Sequence, residues 1–78
     1  MKTLVTPRHK ALVKLLRDER VARRLLQGEI ARRLGEHQSL ISRIESGQRR
    51  IDLIEFFVLA DAIGFDPVGA LRKLQSGP

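Results

Sequence analysis

Cysteine is absent from the 78 residues, which excludes disulfides, thiolate metal sites and a cysteine nucleophile. Only two histidines occur, His9 and His37, too few to hold zinc by themselves. There is no glycine-rich phosphate loop and no metal-ligand spacing, and the serines, histidines and aspartates fall on elements too short to frame a pocket. The chain therefore reads as a non-enzyme with no cofactor and no metal. Long apolar runs are missing too. None approaches the length of a membrane span, and the N-terminal MKTLVTPRHK lacks the apolar core of a signal peptide, so a cytoplasmic location and no membrane partner are expected. Without repeats, low-complexity tracts or strand-type alternation, the length suits one small domain, 1–78. Its core is modest and depends on tidy helix packing or a partner subunit.

What the chain does have is positive charge, unevenly placed. The net charge is +6 and the isoelectric point 11.1. Residues 20–50 carry eight arginines against Glu29, Glu36 and Glu45, a local balance of +5, while residues 51–78 carry Arg72 and Lys73 against Asp52, Glu55, Asp61 and Asp66, a balance of −2. An anionic partner would meet the central third. Charge alone is weak grounds for nucleic-acid binding, because many arginines only solvate helix faces.

Helical punctuation is dense. Thr6-Pro7 caps and opens a first helix whose apolar face uses Leu12, Leu15, Leu16 and Leu4 or Val5, ending near Arg23 or Arg24. A second helix spans about 27–34 and a third about 38–46, with Gly35 and Gly47 closing them. Asp52 caps a fourth, with Glu55 three residues on as its capping-box partner, and Gly64 ends it. Asp66-Pro67 starts a fifth that runs to about residue 74, and residues 1–5 and 76–78 are expected to fray. The predicted fold is all-α, a compact five-helix orthogonal bundle.

Between Gln27 and Glu45 the spacing suits two short helices crossing at a fixed angle. Ala31 is small where the second helix must be approached closely, and Ile41 and Ile44 form an apolar seam from which Ser39, Ser42, Arg43 and Ser46 point away. In the fourth helix Leu53, Phe56, Leu59, Ala60 and Ile63 form one stripe, yet Ile54, Phe57 and Val58 lie off it and are apolar too. Either these three form a self-association surface, extended by Val68, Leu71 or Leu74, or the fifth helix folds over them.

With these residues in view, the chain resembles the phage-repressor-like helix-turn-helix family, the Cro/cI type or XRE family of transcriptional regulators. The likeness covers about residues 12–74. It rests on Leu16-Arg17 and Arg20, Gln27 with Ala31, Leu34-Gly35, the run from Gln38-Ser39 through Ile41-Ser42-Arg43-Ile44-Glu45 with Gly47, and Ala60 with Ile63-Gly64. The resemblance implies a lambda-repressor-like DNA-binding domain, with the helix-turn-helix at about 27–46 and the third helix in the major groove of duplex DNA. It implies base contacts from Gln38, Ser39, Ser42 and Arg43, and phosphate contacts from Gln27, Gln48, Arg49 and Arg50. It also implies a structural ion pair between Arg20 and Glu45, and a repressor that binds a roughly palindromic operator as a homodimer. The homodimer's expected surface is Ile54, Phe57 and Val58.

Some residues depart from the family pattern. Leu26 stands where a serine or threonine usually caps the second helix, Arg24 where glycine is common, and Glu36 where the turn is usually apolar. His37 takes the cap position of the third helix, His9 is expected on the surface of the first, and Arg32 and Arg33 on a solvated face of the second. Leu40 either meets a thymine methyl or packs inward. An antitoxin-type autorepressor would use the same domain, with a separate toxin-binding extension. A protein-interaction adaptor on the same fold would show apolar or acidic residues on the outer face of the third helix, where this chain has Gln38, Ser39, Ser42 and Arg43.

Overall fold

Each helix starts and stops where short-range chemistry dictates. In a computed structural model describing residues 2–77, the Thr6 hydroxyl accepts the His9 N–H and Pro7 opens helix α1, Pro7–Ala22. Helix α2 is Gln27–Leu34, α3 is Gln38–Glu45, α4 is Leu53–Ile63 and α5 is Pro67–Ser76. Gly35 and Gly64 take left-handed φ values of 68° and 99° just past α2 and α4, a conformation cheap only without a Cβ. Asp52 and Glu55 close a reciprocal capping box at α4 (2.7 and 3.1 Å), and Asp66 accepts two backbone N–H groups at the start of α5.

The helices form an orthogonal bundle in which α2 lies against α3 and α4, and α1 against α3 and α5. Every helix supplies the core: Leu16 from α1, Ile30 and Ala31 from α2, Ile41 and Ile44 from α3, Phe56, Leu59, Ala60 and Ile63 from α4, and Ala70 from α5. Phe65, between α4 and α5, meets Phe56 edge to face with ring centroids 5.9 Å apart.

Several expectations need correction. Residues 3–5, expected to fray, form a 3-10 turn, Thr3–Val5, with the Thr6 hydroxyl donating to the Thr3 carbonyl (2.7 Å). The fifth helix continues through Ser76, while Met1 and Pro78 lie outside the described residues. Leu53, placed on the buried stripe by its spacing, is 57% exposed because it sits in the overhanging first turn of α4. Phe57 is half-buried against the core and edge-on to Phe56 instead. The fifth helix leaves Ile54 and Val58 uncovered, at 70% and 47% exposure. His9 is buried, not on the surface, because it shares the inward face of α1 with Leu12 and Leu16. Arg33 is not merely solvated: it donates to the Ala62 carbonyl at 2.6 Å, tying α2 to the end of α4.

Two ion pairs join elements distant in sequence or loop. Arg20 grips Glu45 through Nε and Nη2 (2.7 and 2.9 Å), with the two side chains only 12% and 8% exposed, and its Nη1 donates to the Leu25 carbonyl at 2.7 Å. The hydrogen bond to Glu45 raises the Arg20 pKa against the opposing effect of burial. Arg49 donates to Glu55 Oε2 at 2.6 Å while Glu55 Oε1 accepts the Asp52 N–H. That arginine contact, followed by the backbone bond, holds the Glu55 carboxyl below the usual carboxylate range.

Replacing Arg20 by methionine strands a buried carboxylate, so a loss of about 3 kcal/mol is expected in urea denaturation, much of it recovered in the Arg20→Met/Glu45→Leu double variant. A single-variant loss under about 1 kcal/mol would show that the pair behaves like an exposed one. Because the Glu55 pKa is lowered on folding, its stabilisation is complete above the ordinary carboxylate range and is lost as pH falls through the lowered value. Glu55→Gln should therefore lose less stability than the parent on acidification below about pH 4. Parallel pH profiles for the two would remove Glu55 from the acid response.

Candidate nucleic-acid interface

The third helix is only eight residues long, too short to be stable alone, so its position is set by what it packs on. Ile41 and Ile44 bury one side. The opposite side then turns Gln38, Ser39, Ser42 and Arg43 to solvent together, and all four are exposed. Leu40 is half-buried and packs on the core, lining a shallow groove with Leu34, Ile44, Ile54 and Val58. That disposes of its outward alternative.

Both ends of α3 are fastened. At the N-terminus His37 Nδ1 accepts the Ser39 N–H at 3.2 Å, a cap made by imidazole where an oxygen is usual. At the C-terminus Glu45 accepts from Arg20 of α1 and also from Gln27 Nε2 of α2 at 3.1 Å. The Gln27 carbonyl oxygen in turn faces Gln38 Nε2 at 3.5 Å, the outer limit of a hydrogen bond. A polar chain thus runs Arg20, Glu45, Gln27, Gln38 across three helices. It places Gln27, expected at phosphate, in contact with Gln38, expected at base edges.

The flanks are less uniform. Leu26 has no acceptor to cap α2, and only Glu29 reaches back, accepting the Leu26 N–H at 3.1 Å. Arg24 is the one non-glycine described residue with positive φ, 56°, where glycine would sit without strain. After α3, Gly47 (φ 81°) turns the chain outward and the Gln48 N–H returns to the Arg43 carbonyl. Gln48 and Arg50 are exposed. Arg49 is not held out to solvent by itself: Glu55 takes its Nη2, and Nη1 donates to the Arg50 carbonyl at 3.2 Å. Spacing does not reveal that pairing, because Glu55 also caps α4 and nothing in the sequence marks its second oxygen for Arg49.

Arg43 makes no side-chain hydrogen bond with another described residue, so its full fork of donors faces outward. Among the described residues no group of three or more acidic, histidine or cysteine side chains is arranged to hold a metal ion. No helix of the described residues is long and apolar enough to cross a membrane. The assembled surface is a short, rigidly seated helix showing amide, hydroxyl and guanidinium groups, in the stretch that carries the chain's positive excess.

A family model described as Helix-turn-helix matches residues 16–69. Among solved structures, an XRE-family like protein from Pseudomonas syringae pv. tomato str. DC3000 is 43% identical and superposes with a TM-score of 0.88, over 96% of this chain and 92% of that one. No curated protein sequence matches. The family match across most of the chain, with the fold and the α2–α3 geometry, establishes that this protein belongs to the XRE family of DNA-binding helix-turn-helix regulators.

Proposed function

We propose that the chain is a sequence-specific transcriptional repressor that acts in the cytoplasm, docking α3 in the major groove of duplex DNA. The observation carrying this reading is the joint exposure of Gln38, Ser39, Ser42 and Arg43 on a helix whose other side is buried and whose ends are pinned. An amide and a guanidinium can each pair bidentately with a base, adenine for Gln38 and guanine for Arg43. Gln27, at the positive start of α2, contacts a phosphate and sets register. Gln48, Arg50 and the remaining donors of Arg49 grip the backbone beyond α3, with the Glu55 pair steadying Arg49.

The repressor acts as a homodimer on a roughly palindromic operator, its half-sites about one helical turn apart. Supporting this, Ile54 and Val58 expose adjacent apolar surface beside a groove of about 180 Å³ that continues to Leu34 and Leu40. Phe57 contributes from behind, as a buttress of the core, and is a poor site for testing the interface.

Arg43→Ala is expected to weaken binding to the preferred duplex by roughly 1–3 kcal/mol while random duplex loses far less, in a titration at fixed salt. Equal losses on both duplexes would reduce Arg43 to a phosphate contact. Ile54→Asp should convert a dimer to a monomer in sedimentation equilibrium with helix content intact. An unaltered mass would place self-association elsewhere or abolish it.

A further inference from the structure

We propose that His37 decides what Ser39 reads: by accepting a hydrogen bond from the Ser39 hydroxyl on Nδ1, it leaves that hydroxyl to DNA as an acceptor only, selecting bases that present an exocyclic amine in the major groove. The inference rests on the reading of α3 as the base-contacting helix, and adds the chemistry of one of its contacts.

One group at the start of α3 has a fixed role. A backbone N–H only donates, and the Ser39 N–H lies 3.2 Å from His37 Nδ1. That nitrogen therefore carries its lone pair and the ring proton sits on Nε2. The Ser39 hydroxyl oxygen lies 3.1 Å from the same Nδ1. An oxygen lone pair turned to that nitrogen would repel its own, so the hydroxyl turns its hydrogen to the imidazole and shares the single Nδ1 lone pair with the N–H. A serine hydroxyl has one proton and two lone pairs, and with the proton committed inward only lone pairs face solvent. Ser39 is exposed on the same face as Gln38 and Arg43, so those lone pairs belong to the recognition surface.

In the major groove guanine offers O6 and N7 as acceptors, and thymine offers O4 and a methyl group. Only adenine N6 and cytosine N4 donate. An unconstrained serine pairs with either class, and this one is restricted to adenine or cytosine. His37 is a positioning residue here and need not touch DNA. Its imidazole differs from the hydroxyl of a serine cap, which both accepts and donates and would leave the Ser39 proton free to turn outward.

The test is selection of bound duplexes from a random pool by the full chain and three variants, with circular dichroism to confirm folding. The parent should show one position in each half-site at which removing the adenine N6 or cytosine N4 amine from one strand alone, with a purine or 2-pyrimidinone analogue in the recovered duplex, costs roughly tenfold in binding, a preference thereby assigned to that strand. His37→Asn, whose Oδ1 accepts from the Ser39 N–H, should keep that preference. His37→Ser preserves a capping oxygen but not the proton constraint, so the preference at this position should fall to about twofold while the Arg43 position is unchanged. Ser39→Ala should erase it at the same position. A parent that loses no binding when the amine is removed from either strand, or a preference that survives His37→Ser, overturns the proposal and leaves the α3 reading standing. Loss of selectivity at every position in the parent itself would bring down that underlying reading as well.

Discussion

The disposition of the exposed face of α3 depends on one desolvated contact, the bidentate grip of Arg20 on Glu45. A guanidinium and a carboxylate so shielded from water gain little net stability from each other, since their mutual attraction mostly offsets the loss of hydration. What they gain is direction. Two parallel hydrogen bonds at 2.7 and 2.9 Å allow one relative orientation of α1 and the end of α3, where a hydrophobic contact would tolerate many. The third donor of Arg20, on the Leu25 carbonyl, draws the turn before α2 into the same arrangement.

Carboxylates with two oxygens do double duty in this small chain. Glu45 serves Arg20 with both oxygens and Gln27 with one of them; Glu55 caps α4 with Oε1 and anchors Arg49 with Oε2. With 78 residues and a modest core, a single side chain that joins a helix end to a loop does the work of added length. Arginine is used the same way. Arg20, Arg23, Arg33 and Arg49 all bond acceptors within the protein, whereas Arg43 keeps its donors for solvent. The arginine count of the central third therefore mixes scaffold with interface.

What was legible in the sequence follows from how far the responsible interaction reaches. Thr6-Pro7, Asp52 with Glu55, Asp66-Pro67, Gly35 and Gly64 act over at most four residues, and the helices begin and end beside them. The seam of Ile41 and Ile44 fixed which side of α3 faces out, because helical period alone determines it. Crossing angles were not legible. They decide that Phe57 turns inward while Leu53 overhangs, and that Arg33 finds the Ala62 carbonyl 29 residues away. The Arg49–Glu55 pair was not legible either, because Glu55 already caps α4 with Oε1 and only the folded loop brings Arg49 to its Oε2.

The two ends of α3 are fastened by chemically unlike devices, and the difference matters for recognition. The C-terminal end is held by charge, through Glu45 to Arg20, which sets where the helix lies. The N-terminal end is held by a neutral imidazole, which leaves the local field to the helix dipole and the surrounding arginines. A carboxylate cap there would hold the helix as well but would set negative charge against an incoming phosphate backbone. Ile41 and Ile44 are buried between those ends, so the outer face of α3 stands on a helix held at its middle as well as at both ends. On the reading proposed for α3, a helix so held would leave mainly side-chain rotamers to be ordered on a duplex, and correspondingly more of each hydrogen bond with a base to discriminate among sequences.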